Sequence, residues 1–163
     1  MEQNQSKYKN YFKVDEKTVF GFFEDFRFLS NYEECAVEYN GVAWRSSEHA
    51  YMVGKCKDVS CSFFDCKNIN QINHMTCHEV RKWGQTVALR DDWEQIKRAV
   101  MLQINLDKYV RNPELREKLI ATGDRELVES NHWGDSYWGW DIKNGSGQNH
   151  LGKILMMVRG ILR

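Results

Sequence analysis

Apolar residues along the chain follow two rhythms, one of three to four residues and one of two. Trp93, Ile96, Val100 and Ile104 form a single stripe, which Ala99, Leu102, Leu106 and Tyr109 widen. That spacing predicts a long amphipathic helix opening at Asp91 or Asp92 and central to the core. Leu151, Ile154, Leu155, Val158 and Ile161 predict a second amphipathic helix over 151–162, all five facing inward. Period-two alternation is confined to short runs. Cys35, Val37 and Tyr39 alternate ahead of Asn40-Gly41, a pair that tolerates the positive φ values of a type I′ turn, so Glu34 to Trp44 is predicted to be a hairpin. Thr18 to Phe23 and Glu126 to Ser130 read as further short strands.

Punctuation residues supply the other elements. Ser46 or Ser47 can cap a helix running to Cys56. Ile72 to Trp83 reads as a short helix stopping near Gly84, and residues 57–70 as irregular chain with room for one helical turn. Asn112-Pro113-Glu114 is a helix start, which Thr122-Gly123 closes. A loop from Asn131 to Asn149 carries three tryptophans and four glycines. Residues 1–15 are polar and expected to be a flexible N-terminal segment, leaving 16–163 as one domain. Few strands scattered among helices point to an α+β class, a single compact helix-rich domain with a few short strands.

Composition narrows the partners. At 163 residues with 42% hydrophobic and 13% aromatic content, the chain can bury a substantial core. Twenty-three basic residues balance 23 acidic ones, so there is no bulk attraction to nucleic acid or an anionic membrane. A phosphate-bearing small molecule remains compatible, because a pocket needs only local donors. No run approaches the roughly 18 apolar residues of a membrane span, and the first ten residues lack a signal peptide's apolar centre. Five cysteines, an odd number without a Cys-x-x-Cys pair, fit a reduced, cytoplasmic protein. Cys56, Cys61 and Cys66 recur every five residues, with His74, Cys77 and His78 following. Structural zinc sites usually space paired ligands two to four residues apart, so neither metal nor cofactor is expected.

The candidate chemistry begins at position 48. Glu48, Tyr51, Met52 and Lys55 stand at i, i+3, i+4 and i+7, on one helix face. A carboxylate in a first turn is stabilised by the helix dipole and stays ionised, suiting it to act as a base, a nucleophile or a stabiliser of positive charge. Lys55 reads either as a solvated lysine or, half-buried under Tyr51 and Met52, as a nucleophile with a lowered pKa. His49 points off this direction and is expected to be structural. The second constellation runs from His132 to Trp140. It reads either as a flap closing the core or as an aromatic wall for a flat heterocycle, with Asp135 reaching the same space as Glu48. Backbone N–H groups of Gly145 to Asn149, with the last helix's N-terminus, are candidates for holding phosphate.

Several motifs in order carry a resemblance. They are Phe28-Leu29-Ser30-Asn31, Ser46-Ser47-Glu48-His49-Ala50-Tyr51 through Lys55, Trp93 with Val100-Met101, Asn112-Pro113-Glu114-Leu115-Arg116, Ala121-Thr122-Gly123-Asp124, Leu127-Val128-Glu129, Tyr137-Trp138-Gly139, and Gly147-Gln148-Asn149-His150-Leu151-Gly152. Together they resemble the NADAR (YbiA-like) family from about residue 20 onward. The resemblance implies a hydrolase of N-glycosidic bonds acting on a ribosyl phosphate or ADP-ribose carried by an amino group. The substrate would be a ribosylaminopyrimidine phosphate of riboflavin synthesis, or ADP-ribose on guanine, free or in nucleic acid. Glu48 looks like the family's active-site glutamate, Lys55 its following lysine, and Asp135 with Trp138-Gly139 its acid-then-Trp-Gly segment. Asn31, Tyr51, Trp93, Arg125, Trp138, Gly139 and Asn149 are the substrate-binding residues this implies, Arg125 sharing the phosphate with the glycine-rich tail. Glu33-Glu34 and Trp44-Arg45 stand where the family often has prolines, which bears on substrate choice. Two other readings make different forecasts: a non-catalytic ADP-ribose or nucleotide-binding module binds without releasing base, and a zinc-stabilised interaction domain carries about one metal per chain.

Overall fold

A two-residue turn sets the register of everything that leads to position 48. In the computed structural model, which describes residues 11–57 and 66–163, Asn40 and Gly41 both take positive φ, 53° and 74°. They join β3 (Glu34–Tyr39) to β4 (Val42–Ser46) as an antiparallel hairpin in the register Tyr39↔Val42, irregular between Glu34 and Val37. β4 then passes directly into helix α1 (Ser47–Gly54).

The chain divides into two compact units, Asn31–Leu115 and the residues up to Ser30 with Arg116–Arg163. The first holds the hairpin, α1, α2 (Cys66–His74), α3 (Cys77–Gly84) and α4 (Trp93–Arg111). α4 packs on β3 and α1, and α3 packs on α1. Val37, Val53, Val80, Met101, Ile104 and Tyr109 are buried there. Side chains pin β3 to α4: the Glu38 N–H donates to Asp107 Oδ2 (2.6 Å), and Asn112 Nδ2 donates to the Ala36 carbonyl (2.8 Å).

Three expectations change in this unit. The stretch expected as one helix from Ile72 to Trp83 is two, because Thr76 builds a capping box that starts α3 afresh. Thr76 Oγ1 accepts the Glu79 N–H, and the Glu79 carboxylate accepts the Thr76 N–H at 2.7 Å. α2 begins at Cys66, inside the segment expected to be irregular, while residues 58–65 of that segment lie outside the described residues. Ala99 is exposed, so the apolar stripe of α4 is narrower than its sequence implies.

In the second unit β1 (Lys13–Val14) pairs antiparallel with β2 (Thr18–Phe20), and β2 pairs parallel with β5 (Glu126–Val128). The strand expected to reach Phe23 ends at Phe20, where Gly21 takes φ 91° ahead of a 3₁₀ helix, Glu24–Leu29. The run 126–130 splits at Glu129 into β5 and β6 (Ser130–Asn131), and β6 pairs parallel with β7 (Trp140–Asp141) from the tryptophan-rich segment. The boundary between units falls inside α5 (Pro113–Ala121). Helix α6 (His150–Leu162) packs on β5 through Leu151, Ile154, Leu155 and Val158. Ile161, expected inward, is 57% exposed. Arg159 takes the inward place in that last stretch, with Nη1 donating to Thr122 Oγ1 (2.7 Å) and the Arg125 carbonyl (2.9 Å).

Candidate active site

The start of α1 is built so that a carboxylate is held out of water. Ser46 is the N-cap, its Oγ accepting the His49 N–H at 3.3 Å. Ser47 and Glu48 are therefore the first and second residues of the helix, and the Glu48 N–H donates to the Asn31 carbonyl at 3.0 Å. All eight residues of α1 are buried, and Glu48 is 6% exposed. An acid that serves only the helix dipole would sit in solvent, whereas a buried carboxylate costs folding energy unless its surroundings or its function require it.

A polar relay fixes this helix start. The Met75 carbonyl lies 3.0 Å from His49 Nε2, so that nitrogen carries the proton, and Nδ1 accepts from the Ser46 hydroxyl at 2.7 Å. Cys77 Sγ stands 3.4 Å from Ser46 Oγ and 3.6 Å from the Tyr32 carbonyl, tying the first turn of α3 to the same point. His49 is wholly buried, and burial, with a smaller push from Arg45, holds its pKa below the ordinary imidazole value. As pH falls below about 6.5, the unfolded chain takes up a proton that the folded imidazole resists. Folding stability is thus expected to be complete above that pH and to fall below it. In His49→Gln, whose amide can still donate to Met75, urea midpoints at pH 7.5 and 5.5 should differ less than in the wild type. An identical pH dependence would remove His49 from the account.

Lys55 caps the C-terminal end of α1 and is half-buried. Burial lowers its pKa below the ordinary lysine value; the Glu48 carboxylate opposes the shift and Arg81 adds to it. Burial and then the Glu48 charge raise the Tyr32 phenol, while a hydrogen bond from the Arg81 side chain works the other way. Glu48, Lys55, Tyr32 and Arg81 therefore share one electrostatic environment. Sequence reasoning missed Tyr32 and Arg81. Tyr32 directly follows the Asn31 motif, and Arg81 stands at i+4 from Cys77 on the same face of α3, but only the packing of α3 on α1 gives either fact a meaning.

The other expected residues of this unit, Asn31, Tyr51 and Trp93, are buried. Tyr51 and Trp93 are buried with ring centroids 5.1 Å apart. Asn31 Oδ1 accepts from Asn105 Nδ2 at 3.3 Å, and Asn105 Nδ2 also donates to the Met101 carbonyl at 3.1 Å. Ser47 Oγ and Asn105 Oδ1 are buried without a hydrogen-bond partner among the described residues.

Arg125, Asp135, Trp138, Gly139 and Asn149 belong to the other unit. Asp135 Oδ1 accepts the N–H groups of Tyr137 (3.1 Å) and Trp138 (2.9 Å), and both ends of the Asn131 amide bond the Asp135 backbone, so these two side chains shape the turn. Trp138 meets Tyr137 edge to face at 5.0 Å. A Cβ on Gly139 would strike the Glu129 carbonyl. Asn149, in the left-handed region at φ 52°, donates Nδ2 to the Leu127 carbonyl (2.9 Å) and accepts the Glu129 N–H (3.0 Å), acting as a strand partner for β5.

Two expected phosphate grips are employed elsewhere. The N–H groups of Gln148, Asn149, His150 and Leu151 donate to the carbonyls of Ser136, Gly139, Tyr137 and Trp138, so the tail and the α6 N-terminus are turned onto the tryptophan-rich turn. Arg125 Nε donates to the Thr122 carbonyl at 2.9 Å and Nη2 to that of Ala121 at 3.4 Å, and its guanidinium covers the Phe26 ring at 5.4 Å. It caps the end of α5. Of the cysteines weighed as metal ligands, Cys61 lies outside the described residues, and among the described residues no group of three His, Cys, Asp or Glu side chains converges.

The NADAR domain profile matches residues 10–163. The chain is 38% identical over 138 residues to a riboflavin biosynthesis protein of Vibrio vulnificus (strain YJ016), an alignment covering 83% of this chain and 35% of that protein. The chain thus spans about a third of that relative's length. It is 32% identical over 152 residues to the N-glycosidase YbiA of Escherichia coli (strain K12), covering 90% of this chain and 89% of YbiA. An N-glycosidase of Nostoc punctiforme is 34% identical over 142 residues, with coverage of 83% and 85%. The NMR structure of E. coli YbiA superposes with a TM-score of 0.72 at 27% identity, covering 93% of this chain and 88% of that one. The mixture of helices and short strands is thus the fold of that neighbour. Among the described residues no helix is long and apolar enough to cross a membrane.

Proposed function

Since the chain belongs to the NADAR domain family, we propose that it is an N-glycosidase that hydrolyses the bond between ribose C1 and the exocyclic amino nitrogen of a heterocycle. The observation that carries this reading is the pairing of a buried Glu48 with a half-buried Lys55 on one helix, each within the other's field. The names of the relatives support it: N-glycosidase in E. coli and Nostoc, riboflavin biosynthesis in Vibrio. They favour a ribosylaminopyrimidine phosphate over guanine-linked ADP-ribose, whose C1–N bond is of the same chemical kind.

Such a bond breaks when the ring oxygen donates its lone pair and the amine departs, leaving positive charge on C1. An ionised Glu48 beside C1 stabilises that charge and accepts a proton from the water that attacks it; the departing nitrogen takes a proton from solvent and Glu48 gives its own back to solvent, so ribose gains a hydroxyl and the base regains its amino group. Lys55 offers a second route. Its neutral amine adds to C1 of the ring-opened imine, expels the amino-heterocycle, and is freed when water hydrolyses the new imine. Tyr51 and Trp93 supply apolar support on the same side, and Asn31 holds the Glu48 backbone.

The test is a paired assay with borohydride. Wild-type protein is expected to release free aminopyrimidine and ribose 5-phosphate from the ribosylaminopyrimidine phosphate, faster than it releases guanine from guanine-linked ADP-ribose. Tight binding of either compound without release would reassign the chain to a binding module. An adduct trapped on wild type and absent from Lys55→Arg selects the imine route, and no adduct during turnover selects direct attack by water.

A further inference from the structure

We propose that Arg81, held in place by Tyr32, is the residue that grips the phosphate of the substrate, a role resting on the N-glycosidase reading above. The two grips that the sequence offers have other partners: the N–H groups of Gln148 and Asn149 bond carbonyls of the turn at 136–139, and Arg125 caps α5. Arg81 stands where a replacement is needed. It is one turn beyond Cys77, whose sulfur touches both Ser46 Oγ, the cap of the Glu48 helix, and the Tyr32 carbonyl. Residues at i and i+4 share a helix face, and α3 packs on α1, so the Arg81 side chain leaves α3 on the side of Glu48 and Lys55. Tyr32, Lys55 and Arg81 are each half-buried, close to the buried carboxylate yet open to a solute.

The chemistry fits an anion. A guanidinium presents five N–H donors in a rigid fork matched to phosphate oxygens. The Tyr32 hydrogen bond orients that fork, which lowers the ordering cost of binding. Lys55, whose charge Arg81 disfavours, shares the same electrostatic environment. In a chain with no net charge, this guanidinium and the buried carboxylate distinguish the two ends of a ribosyl phosphate: phosphate toward Arg81, C1 toward Glu48.

The test compares Arg81→Gln and Arg81→Lys on a ribosylaminopyrimidine with and without its phosphate, alongside calorimetric binding of ribose 5-phosphate. Arg81→Gln is expected to lose about 10–100-fold in kcat/KM on the phosphorylated substrate, chiefly through KM, and less than about threefold on the dephosphorylated one. Arg81→Lys should recover part of the loss, and ribose 5-phosphate should bind wild type but not Arg81→Gln. Equal losses on both substrates would assign Arg81 a merely structural role and overturn the proposal. Should Arg81→Gln fail to fold, Arg81→Lys decides by the same ratio of the two substrates. Wild type that binds ribose 5-phosphate through Arg81 yet hydrolyses neither substrate would refute the N-glycosidase reading and leave the grip standing; wild type that does not bind it refutes the grip.

Discussion

Glu48→Gln is expected to lower turnover of a ribosylaminopyrimidine phosphate by about 10²–10⁴-fold, the range for loss of a positioned general base, while the protein stays folded. Glutamine keeps the shape of the side chain and leaves the Glu48 N–H on the Asn31 carbonyl, so the helix start is preserved. It forfeits a favourable interaction with the helix dipole of about 0.3–1 kcal/mol. Against that, it removes a charge from a site 6% exposed, relieving a desolvation penalty of at least similar size. The melting temperature should therefore stay level or rise while activity collapses, which separates chemistry from unfolding. The same substitution removes the charge that supports the Lys55 ammonium, so Lys55 should titrate lower still and react faster with an amine-selective reagent at neutral pH. Turnover within about threefold of wild type would remove Glu48 from the mechanism and with it the basis for the assignment.

What the sequence carried and what it hid divide along a physical line. The hairpin follows from Asn40-Gly41 and α4 from its apolar stripe, both properties of neighbours in the chain. Arg81 and Tyr32 were invisible because their meaning comes from α3 lying against α1, which no local pattern encodes. The glycine-rich tail shows why counting donors is not enough: the N–H groups of Gln148 and Asn149 were legible, but the carbonyls of Ser136 and Gly139 that accept from them were not. Arg125 fails for the same reason at shorter range, since the carbonyls it caps lie three and four residues before it. The start of α3 is different. Thr76 and Glu79 stand at the spacing of a capping box, so that boundary was readable and was overridden by the apolar run around it. Ile161 faces solvent because Arg159, a residue that periodicity counts as polar, finds buried partners in Thr122 and Arg125.

Helix α6 permits an experiment in which one substitution has opposite signs at two positions. Gly152 lies in its first turn, where a Cβ would collide with the Leu127 carbonyl and with the amide of Asn149. A backbone oxygen in β5 cannot yield cheaply, because β5 is paired with β2 and Leu127 is wholly buried. Gly152→Ala must therefore lift the start of α6 from β5 and weaken both bonds that Asn149 makes to that strand. Alanine's helix propensity returns about 1 kcal/mol, against overpacking of about 1–3 kcal/mol and the loss of two buried hydrogen bonds of about 1 kcal/mol each. A net loss of about 3 kcal/mol corresponds to a fall in Tm of about 6–12 °C. Gly160, in the same helix, has nothing within 4 Å of a built Cβ, so Gly160→Ala should gain up to about 1 kcal/mol. Equal shifts in the two variants would mean that the α6–β5 approach is not as close as described. The consequence extends to the turn around Trp138, since the first N–H groups of α6 hold the carbonyls of 137 and 138. Loosening that end in Gly152→Ala should let the Tyr137–Trp138 pair move, seen as a loss of near-ultraviolet dichroism at temperatures where the far-ultraviolet helix signal is intact.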